Sequence, residues 1–242
     1  MDDMVENLEN KKIIAVIPAR GGSKRIPYKN IINFHGKPLI AWTIEAALKS
    51  NLFDEVIVST DDKKIAEIAE KYGAKVPFLR EEYADDYSPV SLVTTNVLEK
   101  LLSKEFDMVV QLMPNCPLRN SNDIKEAVQN FIEQKNDFQI SCFSFGWMNP
   151  WWAYQLDEEY NPKPIFEDDM RNRRSQDQPP LYCPTGAIWV AKAKKLLESK
   201  NFYGENYRFF PMSWQSALDI DNYDDLEMAQ AVFLLQNQSY KI

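Results

Sequence analysis

Histidine is almost missing from this chain of 242 residues, where His35 stands alone. A zinc site or a Ser-His-Asp triad would have to rest on that one imidazole, so both chemistries are disfavoured. Cysteine is limited to Cys116, Cys142 and Cys183. Three widely spaced thiols make no disulfide framework and show no metal-ligand spacing, which reads as reduced cysteines in a cytoplasmic protein. No stretch approaches the roughly 20 apolar residues needed to span a bilayer, so no membrane partner is expected. The polar, acidic start MDDMVENLENKK lacks the apolar centre of a signal peptide and reads as an extension over residues 1–12. A basic surplus is absent as well. The net charge of −8 and a pI near 4.9 argue against nucleic acid as the main partner. An apolar fraction of 45% over this length is enough for one large folded domain.

Against that acidic background, residues 10–44 contain Lys and Arg but no Asp or Glu. The apolar run Ile13–Ile17 reads as a buried strand. It ends at Pro18 and opens into a loop with Arg20, Gly21, Gly22, Ser23, Lys24 and Arg25. A strand leading through a glycine-containing basic loop to a helix is how α/β proteins hold phosphate. The loop fails the P-loop pattern because Lys24 follows Ser23 instead of preceding a Ser or Thr. It also fails G-x-G-x-x-G, since Ser23 and Ile26 occupy two glycine positions. A kinase or dehydrogenase is therefore disfavoured. The remaining choices are a polyanion cradle built on Arg20, Lys24, Arg25 and Lys29, or a solvated basic turn.

Further along, strands are expected at 54–60, 74–80, 107–113, 138–145 and 187–191. Helices are expected from Leu39, from Asp62 to Gly73, over 89–103, from near Ser121, through KAKKLLESK and over 222–236. This alternation predicts an α/β fold with a mostly parallel sheet and helices on both faces. Residues 146–183 break the rhythm with prolines, the cluster Trp147, Trp151, Trp152 and Tyr154, and the charged run EDDMRNRRSQD. That segment is either an arm packing on a second copy of the chain or one folded back on its own sheet.

Two further constellations carry possible chemistry. Asp219 and Asp221 in LDIDNYDD, two apart on an extended segment, would share a face at roughly 6.5–7 Å, suitable for holding Mg²⁺. The alternative is that Asp221 caps the last helix and Asp219 is a surface residue. Arg171, Arg173 and Arg174 suit capture of a carboxylate or phosphate, or else form an exposed turn paired with Glu167, Asp168 and Asp169. Asp61-Asp62 reads as a helix cap with no chemistry of its own.

The loop IPARGGSKRIPYKN resembles the signature of the acylneuraminate cytidylyltransferases, also called CMP-sialic acid synthetases. The resemblance continues through VIVSTDD, PFLR, PNCPLR, RRSQD, PTGAIWVAK and LDIDNYDDLEMA. It implies a Rossmann-like, three-layer nucleotide-diphospho-sugar transferase fold over residues 13–242, with a dimerisation arm inserted at about 146–183 and a homodimeric state. It implies transfer of CMP from CTP to a nine-carbon 2-keto sugar acid, with release of pyrophosphate and a requirement for Mg²⁺. On the matching positions, Arg20, Gly21, Gly22, Ser23 and Lys24 would hold the triphosphate, with Lys29 and Asn30 at the phosphates and ribose. Arg80 would hold the nucleotide, and Ser88 or Ser91 would give it a hydroxyl contact. Asp219 and Asp221 would bind the metal and, with Arg20 and Lys29, form the catalytic set. The proton acceptor would be a water on the metal or an Asp of the pair.

The sugar side departs from the family pattern. Met113-Pro114-Asn115-Cys116-Pro117-Leu118-Arg119 replaces Gln-Pro-Thr-Ser-Pro-Leu-Arg, and Cys183-Pro184-Thr185-Gly186 replaces Arg-x-Asn-Gly. Sugar contacts are expected at Met113, Asn115, Arg119, Arg174 and Thr185. These departures set legionaminic acid beside N-acetylneuraminic acid as the substrate expected, with CMP-Kdo or CMP-pseudaminic acid synthesis, or a catalytically silent nucleotide-binding protein, as alternatives.

Overall fold

The structure is a computed structural model describing residues 11–85, 87–146, 148–166 and 172–237. Of the expectations above, residues 1–10 of the N-terminal extension, Trp147, Glu167, Asp168, Asp169 and Arg171 lie outside the described residues.

The first strand, β1 (Ile13–Pro18), is buried along its whole length. Its side chains alternate between two apolar layers. Ile13, Ala15 and Ile17 join one cluster, while Ile14 and Val16 join the other. Such a strand reads as a continuous apolar run because helices cover both of its faces. Each fully buried isoleucine contributes roughly 1.5–3 kcal/mol relative to exposure.

After a short hairpin, β2 (Asn33–Phe34) with β3 (Lys37–Pro38), the chain forms helix α1 (Leu39–Ser50) and strand β4 (Glu55–Ser59). Helix α2 (Lys63–Lys71) starts where the Asp62 carboxylate accepts the Ile65 N–H. There follow α3 (Val90–Lys100), β5 (Met108–Gln111), α4 (Ser121–Glu133) with a full capping box at Asn120, and β6 (Phe138–Ser144). A small exposed hairpin, β7 (Tyr154–Leu156) with β8 (Pro162–Pro164), occupies the arm. The chain then returns through β9 (Tyr182–Lys192), α5 (Ala193–Ser199), β10 (Tyr207–Pro211), the short α6 (Trp214–Ala217) and α7 (Tyr223–Asn237).

The main sheet has the order β10-β6-β9-β5-β1-β4, with every pairing parallel except the two made by β9. Residues of α1, α2 and α4 pack on one face, and residues of α3 and α5 on the other. This is the three-layer α/β architecture expected. Because β1, β4 and β5 run parallel, the loops that follow them open at one edge of the sheet, where such folds bind ligands.

Several elements differ from expectation: β10, the two hairpins and α6 are not among the expected elements, and two expected strands are altered. Residues 74–80 form no full strand, because only Lys75 pairs with Ile57. Pro77 has no N–H with which to extend that ladder. Strand β9 begins five residues before the expected 187, reaching back toward the arm, with an irregularity in its pairing between Ile140 and Cys142. The arm is tied at its base, where Trp151 Nε1 donates to the Pro179 carbonyl at 2.9 Å and stacks edge-on with Phe166.

Candidate active site

The loop after β1 is fastened from several sides. The Ala19 N–H continues the ladder to the Ser59 carbonyl at 2.9 Å. Buried Asn30 donates through Nδ2 to the Arg20 carbonyl, 2.9 Å away, so it braces the loop from within. The Gly21 N–H donates to Asp61 Oδ1 at 2.9 Å. A Cβ on Gly21 would lie 2.9 Å from Asp62 Cβ, so only glycine allows this close approach.

The fastened loop walls a cleft of about 510 Å³, together with the segment from Arg80 into α3, the turn after β5 and the segment before α7. Arg20, Gly22, Ser23, Lys24, Arg25 and Lys29 line it, and Asn30, Arg80, Asp85, Ser88, Asn115 and Asp221 are among the other polar residues of its wall. Met113 contributes an apolar patch. A Cβ on Gly186 would lie 2.6 Å from Met113 Cγ, so glycine there admits the methionine.

Most of the residues expected at the nucleotide come together here. Gly21 lines no part of the cleft and its N–H is already taken, so its contribution is shape. Of the serine pair, Ser88 lines the cleft and its hydroxyl donates to Asp85 Oδ2 at 2.7 Å. Ser91 is buried within α3. Arg80 is 4% exposed and donates through Nη1 to the Ser59 carbonyl at 3.0 Å. Burial lowers its pKa, the Asp61 carboxylate opposes that shift, and the nearby Arg20 charge adds to it.

At the far wall, Lys29 Nζ donates to Asp221 Oδ1 at 2.8 Å and to the Ile220 carbonyl at 2.7 Å. Arg25 Nη2 meets the other Asp221 oxygen at 2.7 Å. Burial pushes the Asp221 carboxyl up, but Lys29 and Arg25 outweigh it and the net shift is downward. Asp219, two residues earlier, makes no ion pair among the described residues. Its pKa is raised, first because the surrounding protein displaces water and then because Asp221 repels its charge.

Asp221 does not cap the last helix. Asn222 does so, accepting the N–H groups of Asp224 and Asp225 at 2.8 and 3.1 Å. Asp225 completes the arrangement by accepting the N–H of Asp221 and Asn222. The lone histidine lies elsewhere, stacked on Phe233 with ring centroids 4.1 Å apart.

On the expected sugar side, Asn115 and Met113 do face the cleft. Arg119 does not, and this corrects the expectation. It is 2% exposed and donates to the Ala187 carbonyl at 2.5 Å, the Met113 carbonyl at 3.2 Å and Thr43 Oγ1 at 2.6 Å. It is an internal brace that ties the turn 113–119 to β9 and α1. Thr185 is also turned inward, donating to the Ala217 carbonyl at 2.9 Å. Arg174 lies exposed on the arm, paired with Asp177 at 2.8 Å.

The fold and this cation-lined cleft define a nucleotide-handling α/β transferase. The family model described as cytidylyltransferase matches residues 14–170, and the chain belongs to that family. It is 38% identical over 231 residues to a pseudaminic acid cytidylyltransferase of Campylobacter jejuni subsp. jejuni, covering 94% of this chain and 99% of that protein. It is 37% identical over 234 residues to a CMP-N,N'-diacetyllegionaminic acid synthase of Legionella pneumophila subsp. pneumophila, with the same coverage of each chain. An N-acylneuraminate cytidylyltransferase of Escherichia coli O18:K1:H7 is 34% identical over 229 residues, covering 94% of this chain and 53% of that protein. Among solved structures, a CMP:2-keto-3-deoxy-manno-octonic acid synthetase complexed with CTP has the same fold, with a TM-score of 0.69 at 20% identity, covering 93% of this chain and 99% of that one. The chain is thus a CTP-dependent nucleotidyltransferase.

Proposed function

We propose that the chain transfers CMP from CTP to the 2-hydroxyl of a nonulosonic acid sugar and releases pyrophosphate. The observation that carries this reading is the convergence of Arg20, Arg25, Lys29, Arg80 and Asp221 in one cleft at the strand ends. The sugar oxygen attacks the α-phosphorus while the bond from that phosphorus to the bridging α–β oxygen breaks. Both electrons of that bond leave with pyrophosphate. The problem is charge, and the cleft answers it with preorganised cations around the triphosphate. Arg20, Lys24 and Arg80 are placed to hold the phosphates, and Lys29 and Arg25 to neutralise the charge that develops. The hydroxyl proton would pass to water or to one carboxylate of the Asp219 and Asp221 pair.

A divalent cation suits this site on its donors. Among the described residues no group of three or more His, Cys, Asp or Glu side chains could hold a metal ion. Asp219 and Asp221 instead offer hard oxygen donors, Asp221 already held by Lys29 and Arg25 and Asp219 without an ion-pair partner among the described residues. That pair fits Mg²⁺, which keeps waters and takes substrate phosphates as ligands. When bound, it would supply electrostatic stabilisation at the phosphates.

For the sugar, legionaminic and pseudaminic acids stand together, on relatives of nearly equal similarity named for each. The arm, with Trp152, Tyr154, Leu156 and Ile165 exposed, is the surface we assign to homodimer contact. Arg174 would then meet the sugar carboxylate of the partner's site. The experiment is pyrophosphate release with CTP, Mg²⁺ and, separately, pseudaminic, legionaminic, N-acetylneuraminic and Kdo acids. Release is expected with a nine-carbon acid. Release with Kdo alone, or with no acid at all, overturns the reading.

A further inference from the structure

We infer that Asp61 is a positioning residue for nucleotide binding, acting through the backbone of Gly21 and the guanidinium of Arg80. The inference rests on the nucleotide cleft proposed above. One oxygen, Asp61 Oδ1, serves both groups. It accepts the Gly21 N–H at 2.9 Å and lies 3.9 Å from Arg80 Nη2. Gly21 follows Arg20 directly, and Arg20 and Arg80 both line the cleft. A single carboxylate therefore joins the two segments whose cations face the triphosphate.

The rest of the turn after β4 holds that carboxylate in place. Thr60 Oγ1 accepts the Asp62 N–H at 3.1 Å, and the Asp62 side chain caps α2. The Thr60 carbonyl accepts the Arg80 N–H at 2.7 Å, which anchors the backbone of Arg80 to the same turn. The positive charge of Arg20 is felt at Arg80. At Arg80 the Asp61 carboxylate acts in the opposite sense to the Arg20 charge. Because the Gly21 N–H points to Asp61, it is not a phosphate donor. Its hydrogen bond instead sets the direction from which the following residues, Gly22 and Ser23, face the cleft. Asp61 touches neither substrate nor reacting atoms, so its effect should appear in nucleotide affinity.

The test is calorimetric titration of the full chain with CTP in the absence of sugar, accompanied by turnover with varied CTP and varied sugar. Asp61→Ala removes both the acceptor and the charge. It is expected to weaken CTP binding about tenfold, as for a lost hydrogen bond with a donor left unpaired. The KM for CTP should rise by a similar factor, while the KM for the sugar stays within about twofold. Asp61→Asn keeps an acceptor oxygen but not the charge and should recover part of the lost affinity, and thermal melting checks that both variants fold. Unchanged CTP affinity in Asp61→Ala overturns the inference. So does a loss that Asp61→Asn does not reduce, or one that raises both KM values together. If the wild-type chain itself does not bind CTP, it is the reading of the cleft that fails, which separates the two claims.

Discussion

The two ends of the cleft were built by different rules. At the nucleotide end, most of the cations come from one continuous loop and line the cleft, since Arg20, Lys24, Arg25 and Lys29 lie within ten residues of each other, and Arg80 joins them from a second segment. At the expected sugar end, Arg119 and Thr185 turn inward, although Asn115 faces the cleft. Arg119 spends its hydrogen bonds on Ala187, 68 residues away, and on Thr43, 76 residues away. A local motif reports the direction of its side chains when its neighbours are its own loop. Arg25 and Lys29 also meet a distant partner, Asp221, but at the wall of the open cleft, whereas the distant partners of Arg119 lie in the interior.

The largest effect that would break this comparison is on stability. Arg119→Met leaves two carbonyls and a hydroxyl buried without their donor, and should cost about 4 kcal/mol or more in urea unfolding. A loss under about 1 kcal/mol would mean that Arg119 is not a brace. Next comes Asp221→Asn, which keeps the fold but should lose roughly 10²-fold in kcat, as for removal of one electrostatic stabiliser. Near-normal turnover in that variant would remove Asp221 from the reaction. Thr185→Val is a smaller perturbation that loses the bond to Ala217. It should cost about 1 kcal/mol of stability and leave the sugar KM unchanged. A rise in that KM alone would return Thr185 to the sugar site.

The smallest effect concerns pH. The Ser88 hydroxyl, followed by the Tyr87 and Ser88 N–H groups, lowers the pKa of Asp85 to about 2. A carboxylate held below its unfolded value stabilises the fold above that unfolded value, and the contribution is lost as pH falls through the folded one. Asp85 is fully exposed, so the effect is local to the turn. The Ser88 amide should therefore keep its exchange protection at pH 5 and lose it toward pH 2, and Asp85→Ala should abolish the dependence.

Much of the fold was legible because both faces of the parallel strands are covered, so each reads as an apolar run. The pairing of residues 74–80 was not, since Pro77 ends a ladder that the apolar pattern alone would extend. The loop of the site was legible through its charge and glycines. The separation of Asp221 from the helix cap depended on Asn222 taking the capping role, which a stretch with Asp221, Asn222, Asp224 and Asp225 all able to cap leaves open. Asp61 was read only as part of a cap. The signal that could have found it is its place at the end of the strand beside β1, where the turn must meet Gly21.

The most direct measurement is calorimetric titration with CTP of three proteins side by side, the wild type, Lys29→Met and Thr185→Val. If one end of the cleft holds the nucleotide and the inward polar residues only brace it, Lys29→Met loses about tenfold or more in affinity and Thr185→Val matches the wild type. Equal affinity in all three, or a loss in Thr185→Val alone, would contradict the account.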